Sequence, residues 1–170
     1  MKLQLRVFAF VLMVSFLLPA CKLYKFTGAS IPPEVQTVSI GNFPNLAPIQ
    51  VGSLSNIFVD KLTDKIVGGT RLRLANGNTG DVTISGSIKD YYVNPTTISG
   101  TEQTEQNRLT IIIQVDYVSV VKPEDSFSQS FSDGENYDAN LSLVDVEDNL
   151  IETITERIAE SIFNKAFVNW

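Results

Sequence analysis

The side chains that most often carry enzymatic chemistry are scarce in this 170-residue chain, which contains no histidine and a single cysteine. Without histidine, neither a serine–histidine–aspartate triad nor a histidine-ligated metal site can form. Paired carboxylates can hydrolyse glycosides, but the acidic residues here cluster in polar turns and on a helical face that lacks nearby aromatic residues. We therefore expect a binding protein that is not an enzyme and needs no cofactor.

One acidic segment, numbered 133–138, has an alternation that faintly suggests calcium binding. It lacks the glycine placement and the terminal glutamate of an EF-hand loop. We interpret this segment as a solvated polar turn, so no metal site is predicted.

The only cysteine, Cys21, has neighbours that point to lipidation. It follows Leu18, Pro19 and Ala20, an order that resembles the lipobox at which a bacterial peptidase cuts before a diacylated cysteine, although proline before the alanine departs from the commonest pattern. The alternatives are an ordinary cleavage after Ala20 that leaves a free thiol, and a cysteine that belongs to a longer signal peptide. Because two or more acyl chains hold a protein stably on a membrane, a lipidated Cys21 would be an anchor.

The residues before Cys21 read as a secretory signal peptide. Lys2 and Arg6 precede an apolar run from Val7 to Leu18 that is interrupted only by Ser15. A charged start, a short apolar run and a small residue at the cleavage site are typical of such peptides. The run has 12 positions, whereas a helix needs about 20 apolar residues to cross a bilayer. It is therefore not predicted to be a transmembrane helix.

These features divide the chain into a signal peptide at 1–20, a lipidated cysteine with a linker at 21–33, and one domain at 34–170. Cleavage before Cys21 leaves 150 residues, a typical size for a single domain with a continuous core. The cleaved chain carries 11 basic and 19 acidic residues, a net charge of −8. This balance argues against nucleic acid as a partner.

Hydrophobic periodicity predicts two amphipathic helices. Apolar residues recur every three or four positions from Ser53 to Val67, and two glycines follow. The same spacing extends from Ser142 to about Phe167, and Asp145 stands where a capping box would place an acidic residue.

Several β-rich runs predict a sheet. They are Glu34–Phe43, Thr70–Ala75, Asp81–Tyr92, Asn107–Val121 and a serine-rich run at 126–132. We expect the second and third runs to form a hairpin, and the last three to form an antiparallel meander. Gly86 indicates a bulge or a close backbone approach, and Val93–Gln106 is predicted to be a long loop. The predicted fold is α+β, with two helices packed on one face of a four- or five-stranded, mostly antiparallel mixed sheet.

Three segments of the chain resemble the LptE family as it occurs in Bacteroidota. They are Tyr24–Pro33, the run Val38–Phe43, and the end Phe163–Trp170, and the match follows the order of elements over essentially the whole chain after Cys21. The resemblance implies an outer-membrane lipoprotein that faces the periplasm. It also implies a plug-and-barrel complex with the β-barrel protein LptD, which delivers lipopolysaccharide to the cell surface.

In that family, lipopolysaccharide contacts are ascribed to basic residues on the sheet and its loops. The resemblance therefore makes Lys89 and Arg108, on neighbouring predicted strands, the first candidates to contact lipid A phosphates, with Arg71 and Arg73 next. The alternative is that each of these residues only keeps the surface soluble.

Contact with the barrel is expected from the loop Val93–Gln106 and from the linker aromatics Tyr24 and Phe26, because exposed apolar residues often mark interaction sites. Tyr24 and Phe26 could instead pack on their own domain.

Two other functions remain open from the sequence. One is a lipoprotein that pilots or scaffolds a different outer-membrane complex, such as a secretin. The other is a stand-alone lipid or glycan carrier, which would need a lined cavity instead of a filled core.

Overall fold

The computed structural model describes residues 31–75, 77, 79–97 and 105–168. Five strands and two helices account for most of this part of the chain. In chain order they are β1 (Thr37–Ile40), α1 (Leu54–Gly69), β2 (Arg73–Leu74), β3 (Val82–Thr97), β4 (Glu105–Ser119), β5 (Phe127–Asp138) and α2 (Leu143–Phe167), with a short 3-10 turn at Pro123–Asp125 before β5.

The strands form one mixed sheet in the order β2–β1–β3–β4–β5. Strand β1 runs parallel to both of its neighbours, whereas β3, β4 and β5 form a long antiparallel meander. The predicted α+β fold, its mixed sheet and its meander are confirmed.

The predicted hairpin between the second and third strands is wrong, because β1 lies between β2 and β3. The backbone N–H groups of Arg73 and Ala75 donate to the carbonyls of Gln36 and Val38 at 3.0 and 2.9 Å. On the other side of β1, one Asp81 carboxylate oxygen accepts hydrogen bonds from the N–H groups of Gln36 and Thr37, both at 2.9 Å. These contacts link residues more than 30 positions apart, so the local turn pattern could not predict them.

Strands occupy half of the predicted long loop, Val93–Gln106, and all of the predicted polar turn at 133–138, which corrects both predictions. The β3–β4 pairing continues to Thr97 and Glu105, so only 98–104 separates the strands, and that segment lies outside the described residues. Beyond Ile88, β3 pairs only with β4 among the described strands, so Pro95 lies on a sheet edge, where proline is tolerated. Likewise β5 pairs with β4 as far as Asp138.

The core lies between one face of the sheet and the two helices. Alternate residues of β4, which lies within the predicted run Asn107–Val121 for most of its length, are buried: Leu109, Ile111, Ile113, Val115 and Tyr117. Helix α1 buries a stripe at four-residue spacing, namely Leu54, Phe58, Leu62 and Ile66. Helix α2 buries Leu150, Ile151, Ile154, Ile158 and Ile162, together with aromatic residues in its last turns. The continuous cluster confirms that both helices cover the same face.

The helices run in the same direction, as shown by ion pairs from Lys61 to Glu152 at 3.8 Å and from Lys65 to Glu160 at 2.9 Å. Gly69, predicted to follow α1, is its last residue. A Cβ there would lie 2.7 Å from the Phe163 ring, so the glycine permits close helix packing.

The predicted capping box at the start of α2 is not formed. Ser142 makes no side-chain capping bond, and its carbonyl accepts the N–H of Asp145 at 3.1 Å. Gly86 marks a close approach, because a Cβ there would overlap the Gln114 carbonyl oxygen and lie 2.7 Å from the Phe43 ring. The bulge of β3 lies three residues later, at Lys89. None of the helices in the described ranges has the length and apolar composition needed to cross a bilayer.

Candidate functional site

The sheet face opposite the helices is open and mainly polar. Because side chains alternate between the faces of a strand, the even-numbered residues of β4 and β5 lie on this face. On β4 they are Gln106, Arg108, Thr110, Ile112, Gln114, Asp116 and Val118. On β5 they are Ser128, Ser130, Ser132, Gly134, Asn136 and Asp138. This surface, which we call the open face, is the candidate binding site.

A ladder of side-chain hydrogen bonds stiffens the middle of the open face. The Gln114 amide donates to the Ser128 hydroxyl at 2.9 Å, and Ser128 donates to the Asp116 carboxylate at 2.5 Å. The Ser130 hydroxyl donates to the Gln114 amide oxygen, also at 2.5 Å. Cross-strand pairs of this kind stabilise a sheet. The open face is therefore an ordered polar surface between β4 and β5.

The side chain of Arg108 extends from β4 across the neighbouring strand β5. Its Nη1 donates to Asn136 Oδ1 at 3.0 Å, and its Nη2 lies 3.8 Å from Asp133 Oδ1. Gly134 makes this arrangement possible, since a Cβ at that residue would lie 2.9 Å from the Arg108 Nε and 2.6 Å from the Leu109 carbonyl oxygen. The Arg108 side chain nevertheless stays 44% exposed, so part of its guanidinium remains available to a ligand.

A second arginine, Arg157 of α2, shares Asp133 with Arg108. Its Nε donates to Asp133 at 2.5 Å, its Nη1 lies 2.7 Å from Glu135, and its Nη2 donates to the Gly134 carbonyl at 3.2 Å. The hydrogen bond to Asp133, followed by the one to Glu135, raises the pKa of Arg157 against the opposing effect of burial. Two arginines and two carboxylates thus form a balanced cluster at the edge of β5.

Sequence reasoning missed Arg157, Asp133 and Glu135. One signal was present, because Arg157 directly precedes Ile158 of the buried stripe of α2, where a charged residue usually finds a partner. The partners themselves lie more than 20 residues earlier in the chain and could not be read from α2.

Lys89 is exposed and occupies the bulge between Ile88 and Asp90. Within the described part of the chain, its ammonium group has neither an ion pair nor a side-chain hydrogen bond. Arg108 pairs with Asn94, five residues further along β3, which corresponds to about 16 Å along the strand. Lys89 and Arg108 therefore lie on neighbouring strands, as predicted, but are too far apart to hold one phosphate together.

Arg71 and Arg73 lie at the other end of the sheet. Strand β2, which contains Arg73, reaches the level of Ser119 on β4 through its pairing with β1 and β3. Ser119 is 11 residues from Arg108, or roughly 35 Å along the strand. The Arg71 Nη2 donates to the carbonyls of Ile31 and Pro32 at 2.9 and 2.7 Å, so it holds the chain where the described part begins. The four predicted cations are not brought together.

Three residues of the predicted site, Cys21, Tyr24 and Phe26, lie outside the described residues, as does 98–104 of the predicted contact loop. In the part of the chain that is described, no group of three or more acidic or cysteine side chains is placed to hold a metal ion.

One surface groove, of about 250 Å³, lies between the end of α2 and the β4–β5 turn. Its walls include Tyr117, Phe127 and Phe167, together with Lys122 and Lys165. This volume is below the roughly 300–1,000 Å³ typical of small-molecule sites.

Several solved structures are similar to this chain at low sequence identity. A hypothetical protein from Chlamydia trachomatis matches with a TM-score of 0.51 and 7% identity, over 79% of this chain and 99% of its own. The rare lipoprotein B from Shewanella oneidensis matches with a TM-score of 0.44 and 11% identity, over 76% and 92%. A minor lipoprotein from Acinetobacter baumannii matches with a TM-score of 0.40 and 14% identity, over 78% and 92%. Of these, the chlamydial match supports the fold, and none carries a function at such identities.

Sequence families give a more specific result. No curated protein sequence matches the chain. The model of the LptE family, described as lipopolysaccharide-assembly, matches residues 35–166. The match runs from just before β1 to the last turn of α2, and it covers well over half of the sequence. This chain therefore belongs to the LptE lipopolysaccharide-assembly family.

Proposed function

We propose that this protein is anchored through Cys21 on the periplasmic side of the outer membrane, where it partners an LptD-like barrel in the delivery of lipopolysaccharide. The observation that carries the proposal is the LptE family match over residues 35–166. The Leu18–Cys21 segment supports the anchor. The stiff open face suits a protein that binds a partner or a polar ligand and performs no chemistry.

Within this proposal, Lys89 and Arg108 are the first lipopolysaccharide contacts. Lys89 carries a solvated charge with no competing carboxylate partner among the described residues. Arg108 is held in place by Asn136 and is partly exposed, so a phosphate would meet a guanidinium that is already oriented. Because about 16 Å of strand separates them, they would engage two separate anionic groups of one lipopolysaccharide molecule.

Arg73 is the weaker candidate and would act only at the other end of the sheet. The Arg71 guanidinium already donates to the carbonyls of Ile31 and Pro32. We therefore propose that its main role is to position the start of the domain, and that it is not a first contact for lipopolysaccharide. Tyr24 and Phe26 remain proposed contacts for the barrel.

Lipopolysaccharide binding by the full-length protein in detergent tests the ligand contacts. The variant K89Q/R108Q removes two charges from the meander, and K61Q/K65Q removes two from the helical side as a matched control. We expect the first variant to bind at least about tenfold more weakly, since each charged hydrogen bond contributes about 1.5–3 kcal/mol, and the control to bind as the wild type does. Equal affinity of the two variants would refute these contacts.

The barrel partner is tested separately by affinity purification from membranes under mild detergent. We expect a barrel of the lipopolysaccharide-assembly type to co-elute. Recovery of a secretin or another outer-membrane complex in its place would refute this partner and support the role of a pilot or scaffold.

A further inference from the structure

One end of the sheet combines the start of the described chain with the β4–β5 turn and the last turn of α2. Ile31, Pro32, Lys122, Phe127 and Phe167 all line the groove at this end. We call it the proximal end and define it by Ile31–Pro32, 118–126 and the last turn of α2. The far end of the domain holds the paired residues Thr97 and Glu105 and the start of α2. The 15 residues of β4 separate it from the proximal end, or roughly 50 Å.

The proximal end exposes three valines on four consecutive positions. Val118 is 50% exposed, Val120 is 69% exposed and Val121 is 37% exposed. Val118 lies on the same side of β4 as Asp116 and Gln114. The valines thus lie at the end of a mainly polar face. Contiguous exposed apolar residues commonly mark a contact surface.

Charge alone does not explain this surface, because two lysines and two acidic residues balance each other on the walls of the groove. Lys122 and Lys165 stand against Glu124 and Asp125 on the walls of one groove, while Arg71 is bound to backbone carbonyls. A partner that binds here would contact the valines through apolar groups and would not need a net charge. The interfacial region of a phospholipid bilayer has this character, since it accepts apolar side chains flanked by lysines that reach the headgroups.

Chain length indicates that this end is the one held near a membrane. Ile31 lies ten positions after Cys21, and a chain of ten residues spans at most about 36 Å. We propose that Val118, Val120 and Val121 contact the phospholipid headgroup region of the membrane that holds Cys21, and so orient the domain with its far end directed away. This inference rests on the proposed lipid anchor.

The single native cysteine makes a direct test feasible, because an acylated Cys21 leaves an introduced cysteine as the only free thiol. The full-length lipidated variants Val120→Cys and Val144→Cys are labelled with an environment-sensitive fluorophore and reconstituted into phosphatidylcholine vesicles. Val144 is the matched control, a valine 81% exposed in the first turn of α2, at the far end. Quenching is measured with aqueous iodide and with phospholipids brominated in the acyl chains.

We expect the probe at Val120 to be quenched by brominated lipid at least threefold more than the probe at Val144, and to be correspondingly protected from iodide. Equal quenching at both sites, in protein that floats with the vesicles, would overturn the membrane contact and leave the anchor intact. Protection from iodide without quenching by brominated lipid would overturn it as well, because protein would then cover the valines. A second label on Cys21, or failure to float, would overturn the anchor and this inference together.

Discussion

The Tyr91 hydroxyl donates a 2.6 Å hydrogen bond to the Glu147 carboxylate and so joins β3 to the beginning of α2. Tyr91 is 1% exposed, and Glu147 is half-buried. Burial, followed by the hydrogen bond to Glu147, raises the pKa of Tyr91. The hydroxyl therefore keeps its proton and remains a donor, and this bond holds the second helix on the sheet at the far end.

Removing this hydroxyl should destabilise the fold. In Tyr91→Phe the half-buried Glu147 loses its donor, and we expect the free energy of unfolding to fall by about 1–3 kcal/mol. Urea denaturation measures the change. Tyr92→Phe is the control, since Tyr92 lies on the open face and is paired with Thr110. Its effect should stay within about 0.5 kcal/mol. Equal losses in the two variants would contradict the role given to the bond.

Alkaline pH should destabilise the protein through a second buried tyrosine. Burial, with a smaller contribution from Asp125, raises the pKa of Tyr117 to about 12. The unfolded side chain titrates near pH 10, so this contribution to stability is fully present below pH 10 and is lost as the pH rises toward 12. One proton corresponds to a slope of at most about 1.4 kcal/mol per pH unit.

Urea denaturation between pH 9 and 11 tests this effect. In Tyr117→Phe the ring that stacks on Phe127, with centroids 5.0 Å apart, is retained while the ionisable group is lost. We expect stability to fall less steeply with pH in the variant than in the wild type. Parallel pH profiles would show that Tyr117 does not titrate as its burial implies.

Two glycine substitutions should act in opposite directions. In Gly134→Ala the new Cβ meets the Leu109 carbonyl and Arg108 Nε at 2.6 and 2.9 Å, so backbone and guanidinium must both shift. We expect a loss of about 1–3 kcal/mol. Gly68, near the end of α1, has no heavy atom within 4 Å of an added Cβ, so Gly68→Ala should stabilise the helix by up to about 1 kcal/mol.

Thermal unfolding of both variants, compared with the wild type, shows whether each substitution raises or lowers the stability of the protein. Destabilisation by both alanines would indicate a general intolerance and would remove the support for a specific packing role of Gly134.

The cluster at the edge of β5 should be energetically coupled. Arg157→Gln and Asp133→Asn each remove one side of the 2.5 Å contact. Because the Arg157 side chain is 41% exposed, solvent screens the pair, and we expect a coupling energy of about 0.5–1 kcal/mol in a double-mutant cycle. Additive effects of the two substitutions would show that the contact contributes nothing measurable.

The elements predicted correctly are those whose pattern is local. The buried stripe of α1 and the alternation of β4 repeat within a few residues, so periodicity alone located them. The place of β1 between β2 and β3 depends on contacts such as those of Gln36 and Thr37 with Asp81, which are 45 and 44 positions away in the chain. No local pattern in the sequence indicates these contacts. The segment 133–138 is predicted to be a turn because glycine and acidic residues are uncommon in strands. In the folded protein, Gly134 leaves room for the Arg108 side chain. Asp133 and Glu135 form ion pairs with Arg157. The composition of the segment 133–138 therefore reflects tertiary contacts.

Membership of the LptE family supports our proposal that the protein, anchored at Cys21, helps to deliver lipopolysaccharide to the cell surface. Depletion of the protein in the bacterium that makes it, followed by quantification of lipopolysaccharide at the cell surface, tests this claim directly. We expect surface lipopolysaccharide to fall on depletion, and to be restored by the wild-type protein but not by Cys21→Ala. Unchanged surface lipopolysaccharide after depletion would contradict the claim.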